Sequence, residues 1–449
     1  MSLRAGTAIR DISPTRPVAL YGYPHVERVS TGIHDPLLAS VLFLDNGETR
    51  LVMVALDLLF LDPPFSRSVR RRVAEVLKMP ESGIFISCTH THSGPVTTRL
   101  VGWQNDATIP APDPAYLTGV SDKIVEATLA ASEAAVPAAI AWACADASGV
   151  GGNRLSAGGI TDPECGILGV RTLAADKLIA AVLIYGMHPT VLHEDSTLVS
   201  SDFPHYARLQ VREAFGADVA VLYHTAPCGN QSPRYFVSGQ TFSEAERLGR
   251  MLGTAVVGSL RSIPNDNWST DPRLRVGLRS VVLPRCPLPP LAEARVLLEK
   301  YRGTYQKLKA EAAPRPEIRT AECAVFGAEG TVALAEAEMR GDIERLLARY
   351  APLEVQILQI GEGIVVGLPG ECFVEYALAI KRGAGPKTFV VSLVNGELQG
   401  YIVTPEALAA GGYEATNAIF APEAGSVLCE AALALVKQFE DGKTRKGPQ

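Results

Sequence analysis

Apolar and polar positions along this chain follow two rhythms, and the switches between them outline the elements. Apolar runs at 39–44 and 49–57 flank Asn46-Gly47, a strong short hairpin signal, and predict two antiparallel strands. Positions 64–77 read as a helix, with a proline suited to its first turn. A short apolar strand at 83–87 and a long helix over 115–135 follow. Strands are predicted at 140–147, 166–174, 178–185, 219–223 and 274–283, with helices at 203–214 and 242–260.

Between 287 and 350 the character changes. Leu291, Ala294, Leu297, Leu298, Tyr301, Tyr305 and Leu308 recur at helical spacing among charged residues and predict an amphipathic helix over 291–312. A second is expected over 332–350, with Pro314-Arg315-Pro316 breaking the chain between them. This helical insertion is a lid, an oligomer contact, or solvated helices packed on the core. Strands at 353–360, 363–367 and 388–393 and helices at 371–382 and 424–439 complete the chain. The alternation predicts a mixed α/β (α+β) fold, a layered β-sheet core flanked by helices. It is read as a single domain over 1–445, with the insertion at 287–350 inside it.

Composition narrows the class. Of 449 residues, 47% are hydrophobic and 20% charged, which suits a globular protein with a large core. The net charge is −6 and no basic stripe occurs, which argues against a nucleic-acid partner. No apolar run reaches the ~18 residues of a membrane helix, so no span is expected. Eight cysteines, none in C-x-x-C spacing, sit mostly in apolar segments and read as buried free thiols of a reducing compartment. The N-terminus carries no apolar signal stretch, so a cytoplasmic location is expected.

Candidate chemistry concentrates where predicted strands end. Cys88-Thr89-His90-Thr91-His92-Ser93-Gly94-Pro95 follows the strand at 83–87. Side chains two apart on a strand share a face, so His90 and His92 are expected to project into one cleft. Two such imidazoles bind a transition metal or shuttle protons. His188, in Met187-His188-Pro189, leaves the strand at 178–185 as either a ligand or a structural histidine. Asp202 heads the helix at 203–214, as its cap or as a catalytic carboxylate. Asp57, ending a buried strand, is a candidate supporting carboxylate. Ser232, in Gly229-Asn230-Gln231-Ser232-Pro233, is a turn residue, a nucleophile or an oxyanion donor. It lies in no G-x-S-x-G elbow, which disfavours an α/β-hydrolase. Glu371 opens the predicted helix at 371–382, where the helix dipole favours it and where it can offer a carboxylate to a metal. Tyr401 and Tyr413 lie in glycine-containing loops, as oxyanion donors or as surface residues.

Taken in order, these patches resemble the catalytic domain of the neutral, non-lysosomal ceramidases. The resemblance begins at Leu20-Tyr21-Gly22-Tyr23 and Thr31-Gly32-Ile33-His34-Asp35 and runs through T-H-T-H-S-G-P. It continues at Gly152-Asn153-Arg154, at M-H-P, at L-V-S-S-D over 198–202 and at G-N-Q-S-P. P-G-E over 369–371, G-Y-I-V-T-P and Y-E-A close the set, which spans nearly the whole chain. The resemblance implies a zinc amidase with one Zn²⁺ per chain, cleaving an N-acyl bond as those enzymes cleave that of ceramide. It implies His90, His188, Glu371 and Tyr401 as zinc ligands. His92, Arg154, Ser232 and Tyr413 would line the catalytic centre, Arg154 also holding substrate, with Gly22 a backbone position at its edge.

This chain departs from the family pattern in places. The ceramidases carry a further C-terminal β-sandwich domain, and this chain stops about where that would begin. Phe420-Ala421-Pro422 stands where the family has Y-G-P, and Asn230 where it has Asp. The expectation is a zinc-dependent hydrolase of a linear amide, acting on a small-molecule or lipid-like N-acyl substrate smaller or more polar than ceramide. The alternatives are an ester or lactone hydrolase on the same scaffold, a non-catalytic binding protein, and a metal-free serine hydrolase using Ser232.

Overall fold

Strand Leu38–Asp45 sends Ala39, Val41 and Phe43 to one side and Leu42 and Leu44 to the other, and both sets are buried. Its partner Arg50–Leu56 does the same, with Val52 and Val54 opposed to Leu51 and Met53. A sheet with two apolar faces needs cover on both. The computed structural model, which describes residues 2–444, provides it with three sheets around a shared core and helices outside each.

One continuous eight-stranded sheet has two halves, hereafter the first and second sheets: Arg4–Asp11, Leu38–Asp45, Arg50–Leu56 and Ile84–Cys88 in the first, and Val136–Asp146, Glu164–Thr172, Leu178–Tyr185 and Ala220–Thr225 in the second. They join only through the pairs Arg4↔Pro137 and Ala5↔Val136. The far edge of the second folds back on the first, where Ser87 meets His224 at 2.7 Å. The third sheet comprises Leu274–Val281, Leu353–Ile360, Gly363–Gly367 and Thr388–Val391. Phe85, Trp142, Leu168, Leu358 and Phe389 bring all three together.

Helices Pro63–Leu77 and Pro114–Glu133 cover the first sheet, Phe203–Phe215 and Phe242–Arg261 the second, and Val374–Ala384 and Glu423–Thr444 the third. Each sheet holds one parallel strand pair: Arg50–Leu56 with Ile84–Cys88, Leu178–Tyr185 with Ala220–Thr225, and Gly363–Gly367 with Thr388–Val391. Ligands of open α/β sheets gather outside the carboxyl ends of such strands. No helix among the described residues is long and apolar enough to cross a membrane.

The layered mixed fold is as the patterning predicts, with three differences. Strand Arg4–Asp11, which the pattern does not predict, pairs along its length with Leu38–Asp45. The insertion holds three helices, Leu291–Ala310, Arg315–Met339 and Asp342–Tyr350, where the pattern predicts two. Pro316 falls in the first turn of the second, where a missing N–H costs nothing, so the proline pair starts a helix. Gly341, at φ 69°, separates the second from the third. Glu371 does not open a helix; Glu371–Cys372 is a short strand and the helix begins at Val374. Of the cysteines, Cys144 is exposed and the other seven are buried or half-buried, none of them in a disulfide.

Candidate active site

The chain leaving Ile84–Cys88 turns sharply, and His90 adopts φ 70°, a left-handed conformation uncommon outside glycine. This turn brings His90 and His92 together, with ring centroids 5.0 Å apart, in place of the strand alternation predicted for them. His188, just beyond Tyr185, sits 4.6 Å from His90, ring to ring. Each ring is anchored through Nδ1 to a backbone carbonyl: His90 to Leu59 at 3.2 Å, His92 to Gly22 at 3.0 Å, His188 to Gln231 at 2.9 Å. A carbonyl only accepts, so Nδ1 carries the proton in all three and Nε2 presents a lone pair. The three histidines offer nitrogens within 4.8 Å of one another.

Glu371 Oε2 lies 3.2 Å from Nε2 of both His90 and His188. None of the three Nε2 atoms, nor this oxygen, has a hydrogen-bond partner among the described residues, and all are buried. Burial, with Arg154 adding, pushes His188 down to about 3. Burial and the two neighbouring histidines also hold His92 well below its ordinary value. Burial raises the Glu371 carboxyl, but the imidazoles of His90 and His188 outweigh it and hold the group well below the usual carboxylate range. The site is therefore three buried imidazoles, those of His92 and His188 neutral, around one carboxylate, and it could hold a metal ion.

Glu371 reaches the histidines because its short strand pairs in parallel with Tyr401–Ile402, which sets Glu371 beside Tyr401. Asn230 accepts the Val374 N–H at 3.0 Å and so tops the helix that Glu371 was expected to open. Tyr401 and Tyr413 face each other at 5.8 Å. Burial first and Glu371 second push both phenols up, so both keep their protons at neutral pH.

Arg154 follows Gly152–Asn153, which pairs with Gln231–Ser232. Its Nε donates to Glu414 at 2.7 Å, its guanidinium lies 5.5 Å from the Tyr401 ring, and its Nη2 is buried with no partner. Ser232 Oγ accepts the Arg234 N–H at 3.2 Å, and no histidine or carboxylate among the described residues hydrogen-bonds to it. Gly22 has φ 113°, and a Cβ there would fall 2.4 Å from His92 Nδ1.

Thus the eight predicted side chains and Gly22 gather in one place. Asp57 and Asp202 do not join them. Asp57 is bound at both oxygens by Arg208, at 2.9 and 2.8 Å. Asp202 caps helix Phe203–Phe215 through the Phe203 N–H and also accepts from Leu192.

A cavity of about 290 Å³ opens onto His92, Arg154, Ser232, Tyr401 and Tyr413. Helix Arg315–Met339 of the insertion roofs it, Arg319 and Phe326 facing inward. The helix lies close because Gly327 has no Cβ, which would fall 2.2 Å from Thr416 Oγ1. These roof residues carry no sequence signal, since helical spacing shows which face is apolar but not what it covers.

Residues 3–240 match the family described as neutral/alkaline non-lysosomal ceramidase, N-terminal. The chain belongs to that family. His90, His92, Arg154, His188 and Ser232 lie within the matched ceramidase region, while Glu371, Tyr401 and Tyr413 lie beyond it. The neutral ceramidase from Pseudomonas aeruginosa has a similar structure, with a TM-score of 0.76 at 18% identity, covering 98% of this chain and 75% of that one. A structure of a ceramidase complexed with C2 aligns with a TM-score of 0.76 at 17% identity, over 98% of this chain and 76% of that one. At such identities the likeness establishes the fold, which the ceramidases share through both halves of this chain. No curated protein matches the sequence. Family membership supports a ceramidase-like hydrolase.

Proposed function

We propose that this chain is a zinc-dependent amidohydrolase cleaving a linear N-acyl amide bond. One observation carries the reading: three imidazole lone pairs and a carboxylate oxygen converge, buried and without hydrogen bonds. Acceptors buried face to face with no donor are costly unless a cation lies among them. Imidazole nitrogen with carboxylate oxygen suits Zn²⁺. His90, His188 and Glu371 would hold the ion, with Tyr401, paired beside Glu371, as the fourth ligand. When bound, zinc supplies a water acidified towards neutrality and polarises the amide carbonyl.

The remaining residues move protons and meet charge. His92, neutral and with Nε2 turned to the cluster, takes the proton of the attacking water, its ring fixed by the Gly22 carbonyl. The hydroxyls of Tyr413 and Ser232 line the cavity and donate to the amide oxygen as negative charge develops on it. Arg154, steered by Glu414, turns Nη2 to a polar group of the substrate. A Ser232 nucleophile is disfavoured because no base is bonded to its hydroxyl.

The test is metal content and amide hydrolysis in parallel, before and after chelation and after zinc is restored. The reading expects activity to leave and return with the ion. Hydrolysis that persists in fully metal-free protein would overturn it.

A further inference from the structure

We propose that the substrate carries an anionic group on its amine half, received by Arg234 and Arg315, and a short acyl group on the other. This rests on the amidohydrolase reading. The 290 Å³ cavity is lined by Arg154, Arg234, Arg315 and Arg319 and by no aspartate or glutamate. Two of these arginines are neutralised, Arg154 by Glu414 at 2.7 Å and Arg319 by Glu194 at 3.0 Å and Glu322 at 2.6 Å.

The other two make only neutral contacts among the described residues. Arg234 donates to the Arg154 carbonyl at 3.1 Å, to Thr320 Oγ1 at 3.4 Å and to Cys323 Sγ at 3.9 Å. Arg315 donates to Gln240 Oε1 at 2.8 Å. These bonds hold the guanidinium groups at the cavity wall and leave their charge uncancelled. A chain of net charge −6 thus gathers free positive charge at the mouth of one cavity. Guanidinium groups so placed suit a carboxylate or phosphate. Arg154 Nη2, buried and without a partner deeper in the same cavity, points independently to a polar group arriving from outside.

A second cavity, of about 30 Å³, shares His92, Tyr401 and Tyr413 with the first. Its far side is formed by Leu59, Phe60, Trp103 and Leu334, and it has no basic lining but its histidines. It has room for an acyl group of very few carbons. A bond cleaved at the shared wall therefore has a small apolar side and a charged side. The larger cavity itself falls at the lower end of the ~300–1,000 Å³ of ordinary ligand pockets, too little to enclose a two-chain lipid.

The experiment uses the zinc-loaded 449-residue chain and N-acetyl ω-amino acids of increasing length, each paired with its neutral carboxamide. N-acetyl-phosphoethanolamine and N-acetylethanolamine form a second kind of pair. Binding is read by calorimetry and turnover in parallel, for the wild type, R234Q and R315Q. Arg315 is exposed and Arg234 half-buried, so both variants are expected to fold. An anion should bind about tenfold more tightly than its neutral partner, and each substitution should remove most of that advantage while leaving the neutral compounds unmoved. Preference for carboxylate or for phosphate supports the proposal and tells which anion is taken. Equal binding of anion and neutral partner, or an advantage indifferent to both substitutions, overturns it. Arginine-dependent anion binding without any turnover supports the cavity assignment and overturns the amidohydrolase reading. Turnover confined to neutral long-chain amides does the reverse.

Discussion

The floor of the cavity comes from strand ends and its roof from the helices of the insertion, and the two commit their polar atoms differently. On the floor, each histidine is tied through Nδ1 to a backbone carbonyl belonging to another chain segment, and Glu371 is placed by a strand pairing. Each sheet contributes the carboxyl end of its parallel pair, so three separately covered layers fix one set of atoms. The roof is a charged helix whose arginines reach the cavity on long side chains, Arg315 exposed to solvent. Atoms that must hold a reacting geometry are best carried on rigid, buried elements. Groups that select among substrates can sit on a surface helix, where substitution changes recognition and spares the core. The floor should therefore fix the chemistry, and the roof, together with Arg154 and Arg234 on the cavity wall beneath it, should select the substrate.

The comparison breaks most visibly on the floor. Glu371→Ala should cost both the ion and the activity, beyond the ~10–100-fold that follows loss of a group merely supporting a ligand. Elemental analysis alongside kcat/KM checks this; a variant with full metal would sink the ligand assignment. Ser232→Ala should lower kcat by roughly 10²–10³ with little change in KM, the signature of a lost oxyanion donor. A rate equal to the wild type would remove Ser232 from the site. Gly22→Ala places a Cβ against the His92 ring in a backbone conformation alanine avoids. It should cost about 1–3 kcal/mol in unfolding free energy, together with activity. Unchanged stability and rate would show that His92 needs no such carbonyl.

The smallest effect concerns pH. Burial pushes the Asp202 carboxyl up to about 7, against the pull of the Leu192 and Phe203 N–H groups. Its value in an unfolded chain is near ~3.9. The folded protein thus holds this proton more tightly, so the stability it confers is complete below pH ~4 and is lost as the pH rises through about 7. The wild type should lose on the order of a few degrees of Tm across that window relative to Asp202→Asn. Superimposable Tm profiles would contradict it.

Much of the floor's scaffold was legible. Asn46-Gly47 marks a real hairpin, and strand Leu178–Tyr185 has the predicted bounds. Helix Pro63–Leu77 starts one residue earlier than its pattern, where Asp62 accepts the Phe65 N–H. Arg4–Asp11 escaped because only Ala5 and Gly6 are fully buried in it, and small residues leave no apolar period. Pro314-Arg315-Pro316 misled because proline both ends and begins helices, and only the fold decides which. Glu371 looked like a helix opener because its actual partner, Tyr401, is distant in sequence. Neither spacing nor periodicity could bring His90, His188 and Glu371 together. The ordered motifs shared with the ceramidases suggested it, and the three sheets supply the geometry. Arg234 and Arg315 were invisible, because isolated arginines are the common background of any soluble surface.

The most direct test measures bound divalent metal per chain in the wild type, His188→Ala and His224→Ala, each purified identically. His224 is as buried as His188, but its Nδ1 meets Ser87 in the core between the sheets, away from the cluster. The account predicts a single zinc in the wild type, none in His188→Ala, and retention in any folded His224→Ala. A full complement of metal in His188→Ala would contradict it.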